Sequence, residues 1–401
     1  MANTYGVANI KVMGIGGGGN NAVNRMILAG ITSCTFIAAN TDMQALNMSK
    51  APIKIQLGAS LTKGLGAGAD PEMGARAAEE SKDEIRQHLE DTDLLFITAG
   101  MGGGTGTGAA PVIAQMAKEM NILTIAVVTK PFEQFEGKRR MENAQKGIEE
   151  LRKVVDTLLV IPNEKIQMFV PKGTTLVQAF KVADDVLRQG IQGITEIITT
   201  PALINLDFAD IKTIMKNKGN AHIGIGKGKG ENRTFEAVRQ AVQSPLLETN
   251  IQGATGIIVY VSGGPGLTME EVNNSVSLIR DVVDPSANII FGMGIDEALD
   301  EEVIITVIAT GFETKPDGRS KYSTMSRPMF NEPDRNAQMD RMYGYAPEYN
   351  EAAATQAPQA PRQQEQVPPQ FRPQNDIPTG RMDVTDSKIP PFLQRLKDKN
   401  R

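Results

Sequence analysis

The sequence predicts an α/β protein: a parallel-sheet domain covered on both faces by helices, one long helix, then a second α/β unit and a tail. Three observations predict it. Short apolar runs alternate with amphipathic stretches through residues 9–160. One apolar three-and-four periodicity runs over 175–200. Strand–helix alternation resumes over 220–313 and stops near Lys315.

In the first region the apolar runs at 10–14, 35–39, 94–98, 123–128 and 157–161 read as strands. Amphipathic stretches between them, such as 72–89 and 142–154, read as helices. This alternation is that of a parallel sheet buried on both faces. In such sheets ligands gather at the carboxyl ends of the strands. Two glycine-rich segments fall at that edge. Gly102-Gly103-Gly104-Thr105-Gly106-Thr107-Gly108 follows the apolar run Leu94-Leu95-Phe96-Ile97 and precedes a predicted helix from Ala109 to Met120, with Pro111 in its first turn. Five glycines in these seven residues are costly to order. A bare backbone can converge its N–H groups on an anion, the helix end adds partial positive charge, and Thr105 and Thr107 add hydroxyl donors. The segment reads as a phosphate cradle.

The other segment, Gly14-Ile15-Gly16-Gly17-Gly18-Gly19, satisfies GxGxxG, with Asp42 after the next strand. This is the Rossmann-like dinucleotide fingerprint, which by itself suggests an NAD-dependent oxidoreductase. A dinucleotide needs one such loop; two on one sheet edge suit a longer phosphate chain held from both sides. A third small-residue stretch, from Gly64 to Glu72, lies before another predicted helix.

The long helix over 175–200 would measure about 39 Å, and Pro201 closes it. Asn205, Asp207 and Asp210 follow. Two carboxylates and an amide so close together can polarise a water or bind a cation, and Asp207 can also cap the helix that follows. In the second unit, 222–226, 256–261, 288–292 and 303–310 read as strands, and 234–242 and 269–283 as helices. The Gly-Lys repeat at 226–230 lacks the GxxxxGK[ST] spacing of a P-loop and reads as a turn.

Composition bounds the function. With 401 residues the chain exceeds one ordinary core. A net charge of −5 argues against nucleic-acid binding through a basic surface. The one cysteine, Cys34, excludes a disulfide framework and a multi-cysteine zinc site, and reads as a structural thiol. His88 and His222 are the only histidines, and neither has the company of a triad or a metal site. No apolar run reaches membrane-spanning length, and residues 1–9 lack signal character, so a cytoplasmic protein is expected.

From Lys315 onward Pro and Gln rise and apolar periodicity ends, as in a linker that cannot bury a core. At the end, Ile389, Pro390, Phe392, Leu393 and Leu396 form an apolar cluster among Lys388, Arg395, Lys397, Lys399 and Arg401. A basic amphipathic segment on a tether suits docking into a partner groove or at a membrane surface.

The motifs stand in series: GIGGGGNNAVNRM at 14–26, AANTD at 38–42, GLGAGADPE at 64–72, GGGTGTG at 102–108, FEGKRR at 135–140, IPN at 161–163 and NLDFAD at 205–210. In this order and spacing the chain resembles the FtsZ family of tubulin-like GTPases of bacterial cell division, over about residues 9–314 and again near the end. The resemblance implies a GTP-binding domain over 9–174, a central helix over 175–201, a C-terminal activation domain over 202–314, a linker over 315–384 and a partner-binding peptide over 385–401.

By the same resemblance Gly17, Gly18, Asn21 and Gly102 to Gly108 (Gly102, Gly103, Gly104, Thr105, Gly106, Thr107, Gly108) hold the phosphates of GTP or GDP. Asn40 and Asp42 belong to the nucleotide set, and Ala67, Gly68 and Ala69 lie by the γ-phosphate. Glu136 and Arg140 lie near the ribose and α-phosphate, while Asn163, Phe180 and Asp184 address the base. Chemically, Phe180 offers a stacking face, and Asp184 can accept from guanine N1–H and its 2-amino group, which adenine does not supply together. The family usually has one residue between PF and FEG; this chain has two, Glu133 and Gln134. Mg²⁺ is expected on the terminal phosphates.

With Phe180 and Asp184 on the base, Asp207 would lie some 25–35 Å away along the helix, too far for its own γ-phosphate. Asn205, Asp207 and Asp210 then reach the nucleotide of a head-to-tail neighbour, a contact that builds a filament. The resemblance implies the same, together with a cytoplasmic ring at the mid-cell division site and membrane-anchoring partners for the terminal peptide. A nucleotide-gated filament without turnover, and the oxidoreductase, stay open as alternatives.

Overall fold

The computed structural model describes residues 8–167, 173–200, 202–243 and 251–312. The chain runs β1 (Ile10–Ile15), α1 (Gly16–Leu28), β2 (Thr35–Asn40), α2 (Met43–Asn47), β3 (Ile53–Gln56), α3 (Ala59–Thr62), α4 (Pro71–Glu80), α5 (Lys82–Leu89), β4 (Leu94–Gly100), α6 (Thr105–Glu119), β5 (Leu123–Lys130), α7 (Glu133–Glu136), α8 (Lys138–Val154), β6 (Thr157–Pro162) and α9 (Asn163–Gln167). It continues with α10 (Leu176–Thr199), α11 (Phe208–Met215), β7 (Gly219–Lys229), α12 (Arg233–Val242), β8 (Gly256–Gly263), α13 (Met269–Arg280), β9 (Asn288–Ile295) and β10 (Glu302–Thr310).

The strands line up as β3-β2-β1-β4-β5-β6-β7-β10-β8-β9. The first six are parallel, with Val12 opposite both Phe36 and Phe96. Their order is that of doubly wound nucleotide folds. The other four form a mixed sheet in which β10 runs antiparallel to β7 and β8, and β9 parallel to β8. β7 belongs to both halves. Gly219 and Asn220 pair with Thr157 and Leu158 of β6, and the strand then turns to β10 from Ala221 onward. Asp156 fastens this seam: its carboxylate accepts from Thr124 N at 2.9 Å and Asn217 N at 3.1 Å, and its carbonyl accepts from Lys218 N and Gly219 N.

Three apolar clusters follow from the two-faced sheets. One lies between α4, α5, α6 and α8 and one face of the first sheet, around Ile97, Ile113 and Leu151. A second lies under α12 and α13, around Val259, Val238 and Ile279. The third spans both halves, because Leu187, Ile191, Ile194 and Ile197 of α10 pack with Val127 and Leu159 and share one cluster with Ile223, Ile258 and Ile308. The first turns of α10 keep the apolar spacing without the burial: Val177 is 67% and Phe180 38% exposed.

Several local expectations change. Helix α6 begins at Thr105, not Ala109, so Pro111 lies inside it. Close helix crossing explains the glycines here, since a methyl on Gly108 would stand 1.9 Å from Pro71 O and one on Gly74 2.4 Å from Gly104 O. Similarly α1 begins at Gly16. The 72–89 stretch divides at Ser81, whose hydroxyl accepts from Gly58 N and donates to Gln56 O at the end of β3, a four-residue strand too short to show an alternation. Most of the Gly-Lys repeat is the end of β7 rather than a turn. Gly224, Gly226 and Gly228 alternate on one face, where added methyls would meet the carbonyls of Ala241, Ala237 and Arg233 at 1.6–1.8 Å. The repeat is a bed for α12.

Candidate nucleotide site

The strand order reverses between β1 and β4, which opens a crevice at their carboxyl ends. α1 and α6 both start there. Neither start has a side-chain cap: Ile15 and Gly104 hold those positions. By contrast α2, α4, α10, α11 and α13 are capped by Asp42, Asp70, Thr175, Asp207 and Thr268. Two uncapped helix ends side by side offer backbone N–H groups and aligned dipoles to one anion.

The glycines divide by job. A methyl on Gly14, Gly19, Gly106 or Gly108 would come within 3 Å of neighbouring backbone. These positions let the two helix ends and strands close up. Gly17 and Gly103 have nothing within 4 Å of an added methyl, so their backbone faces open space. The threonines are partly committed. Thr107, 2% exposed, accepts from Gly102 N at 2.7 Å. Thr105 shares a 2.7 Å hydrogen bond with Thr41.

Next to this crevice is a cavity of about 270 Å³. Of the residues named from sequence, Gly18, Asn21, Glu136, Arg140, Asn163, Phe180 and Asp184 line it. Met101 and Thr129 line it too, and carry no motif signal. Asn163 is 4% exposed, and its Oδ1 has no hydrogen-bond partner. A buried acceptor left open in a cavity is a place for a ligand donor. Phe180 meets Phe132 and Phe135 edge to face at 5.7 and 6.3 Å, and Phe132 and Phe135 stack at 4.7 Å. Glu133 and Gln134 open the single turn of α7. Glu136 still lines the cavity, accepting from Phe132 N at 2.9 Å and pairing with Arg140 at 3.1 Å.

Asp184 receives Arg25 Nε at 2.8 Å. Burial pushes its carboxyl above the ordinary range, and the Arg25 hydrogen bond and charge pull it back. Sequence reasoning misses Arg25, although it stands one helical turn after Asn21 on α1 and so on the same side.

The remaining nucleotide-set residues surround the α6 end. Asn40 is 3% exposed and holds the turn: its Oδ1 accepts from Asp42 N, and its Nδ2 donates to the Asn20 amide, whose nitrogen faces the Gly14 and Gly16 carbonyls. Asp42 caps α2 through Gln44 N and Ala45 N. Ala67 packs against Gly104, while Gly68 and Ala69 have φ of 59° and 60°. Asn205, Asp207 and Asp210 lie beyond the far end of α10, all exposed. Asp207 caps α11 through Ala209 N, and Asn205 Oδ1 accepts from Ala202 N at 2.7 Å. The terminal cluster Ile389 to Leu396 lies outside the described residues. A wider cleft of about 450 Å³ between α12 and α13 is lined by Glu231, Glu270, Glu271 and Asp281, an unfavourable wall for phosphate.

The chemistry gathered at the β1–β4 crevice is that of a nucleotide-binding protein. Residues 9–171 match the model of the Tubulin/FtsZ family GTPase domain, and 219–313 that of the FtsZ family C-terminal domain. An empty FtsZ dimer from M. jannaschii is similar at 47% identity, covering 80% of this chain and 95% of that one, with a TM-score of 0.72. A single-substitution mutant of M. jannaschii FtsZ is similar at 49% identity over 76% and 91%, with a TM-score of 0.71. The GDP-bound monomer of CetZ1 from Haloferax volcanii shares the fold at 23% identity over 77% and 96%, with a TM-score of 0.67. The chain belongs to the FtsZ family, and its first domain is a GTPase domain. The GxGxxG segment therefore serves a GTPase, and the oxidoreductase alternative falls.

Proposed function

We propose that the chain polymerises head to tail and hydrolyses GTP between subunits. In this reading the α1 and α6 ends hold the phosphates through Gly17, Gly18, Asn21 and the 102–108 segment. The cavity takes ribose and base through Glu136, Arg140, Asn163, Phe180 and Asp184, and the loop at 67–69 lies by the γ-phosphate. Mg²⁺ rides mainly on phosphate oxygens and water, as this ion commonly does. Among the described residues no group of three or more His, Cys, Asp or Glu could hold a metal.

One observation carries the reading: the cavity meets the first half of α10, through Phe180, Ala183, Asp184 and Leu187, and the acids follow the end of its second half. Phe180 and Asp184 line the cavity, the helix has 24 residues, and Asp207 follows its end. At 1.5 Å per residue the stretch of α10 from Asp184 to Thr199 alone spans about 22 Å, which no carboxylate bridges. Asn205, Asp207 and Asp210 are exposed and so available to another copy. An M. jannaschii relative forms a dimer, which favours such self-association. Nucleotide hydrolysis would then weaken the contact that made it possible. The terminal peptide would tether filaments to membrane-anchoring proteins at the division site; among the described residues no helix is long and apolar enough to cross a membrane.

The test is phosphate release per subunit measured against protein concentration. Hydrolysis between subunits gives near-zero specific activity below a threshold concentration and a rise above it. Constant specific activity down to dilute monomer would refute it.

A further inference from the structure

We propose that Arg25 is a positioning residue that sets which base the cavity accepts, by holding the Asp184 carboxylate as a pair of acceptors. The inference rests on the reading of the cavity as a GTP site and deepens it. Its geometry is direct: Arg25 Nε donates to Asp184 Oδ2 at 2.8 Å, from α1 to α10. The Asp184 side chain is 16% exposed and that of Arg25 33%. Asp184 lines the cavity one helical turn after Phe180, and Asn163 with its open oxygen lines the same cavity.

The two protonation states of Asp184 read different bases. An ionised carboxylate only accepts, which suits the N1–H and 2-amino donors of guanine. A protonated carboxyl donates once and accepts once, which suits adenine, whose N1 accepts and whose 6-amino group donates. Burial pushes Asp184 toward the second form, and Arg25 opposes it through both its hydrogen bond and its charge. Of the neighbouring charges, Glu136 pairs with Arg140, and Asp185 with Arg188 on α10. Glu133 on α7, Lys130 on β5, Glu164 and Lys165 on α9, and Lys181 on α10 are further charged groups on elements packed against this half of the helix.

The test compares GTP and ATP binding by the full chain, through displacement of a fluorescent nucleotide between pH 6 and 8. The unaltered chain should prefer GTP by a ratio that stays flat with pH. Arg25→Gln should lose at least tenfold of that ratio, with the greater loss at the lower pH, because the burial that raises the Asp184 carboxyl is then unopposed. Arg25→Lys should retain most of the preference. Asp184→Asn, which presents one donor and one acceptor at every pH, should lose the preference without pH dependence. A preference in Arg25→Gln equal to that of the unaltered chain at all pH values would overturn the inference, as would equal weakening of both nucleotides. Equal binding of GTP and ATP by the unaltered chain would overturn the underlying reading as well.

Discussion

Two alanine substitutions separate the glycines that pack from those that face open space. At Gly108 an added methyl would lie 1.9 Å from Pro71 O, 2.7 Å from Ala75 N and 2.8 Å from Pro71 C. All three are backbone atoms of α4, so relief requires moving that helix. Such overpacking costs typically ~1–3 kcal/mol and can cost more, while alanine returns ~1 kcal/mol of helix propensity. With three backbone clashes, Gly108→Ala should lose about 2 kcal/mol. At roughly 2–4 °C per kcal/mol for a unit of this size, the melting temperature should fall by about 4–8 °C. Gly17 also sits in the first turn of a helix, but nothing lies within 4 Å of its methyl. Gly17→Ala should leave the nucleotide-free protein as stable as before or stabilise it by up to ~1 kcal/mol. Its GTP affinity should nevertheless fall tenfold or more, because the methyl occupies the space over the α1 end. The assays are thermal unfolding after nucleotide removal, repeated with GTP present, and direct nucleotide binding. Bound ligand adds stability in proportion to its affinity, so the GTP-induced rise in melting temperature should shrink in Gly17→Ala. Unchanged GTP binding in Gly17→Ala, or unchanged stability in Gly108→Ala, would refute the division of labour.

Asp210→Ala should bind GTP normally, release little phosphate and lower the activity of mixtures with the unaltered chain; it is a cleaner probe than Asp207, whose removal also costs a helix cap worth about 1 kcal/mol. The Arg233 guanidinium, at 2.7 and 3.1 Å, holds Glu271 down to about 2, with Thr268 donors assisting. A depressed carboxyl stabilises above its ordinary value and loses that contribution as pH falls toward 2. Glu271→Gln should therefore cost about 1–2 kcal/mol at neutral pH and show a shallower acid loss between pH 4.5 and 2, measured by urea unfolding. Burial pushes the Cys34 thiol up to about 12, so alkylation by iodoacetamide at pH 8 should be roughly a hundredfold or more slower in the native chain than in urea.

The architecture was legible where periodicity is long and strong. Strands β1, β2, β4, β5 and β6 are predominantly apolar runs, and α10 carries one apolar face through several turns. Where glycine governs, the sequence misleads about local structure. A glycine in a strand or helix is penalised by propensity, yet at Gly108, Gly224, Gly226 and Gly228 contact with another backbone outweighs that penalty, and only tertiary packing reveals it. The cavity lining was legible in the motifs, because Asn21, Glu136, Asn163, Phe180 and Asp184 each sit in or beside a patterned segment. Arg25 was not legible, since its importance comes from a partner on α10, 159 residues away. The spacing from Asn21 was its one available signal. Equally, no pattern tells that Asn163 keeps an open oxygen or that Thr107 spends its acceptor on Gly102.

Among the described residues the ten-stranded sheet is packed unequally on its two faces. Along one face α10 belongs to a cluster that runs without interruption from Val12 to Ile308. Along the other, the clusters under α6 and under α12 are separate, and the β6–β7 junction between them has two paired residues on each strand, riveted by Asp156. A plate glued along one side and jointed on the other is stiff against one bend and compliant against its opposite. Thermal fluctuation should therefore concentrate at the junction, where amide protons near Lys218 and Gly219 exchange by local opening while those of β4 and β8 wait for whole-domain unfolding. The molecule has a built-in fold line, and its direction of easy flexure follows from which side α10 lies on.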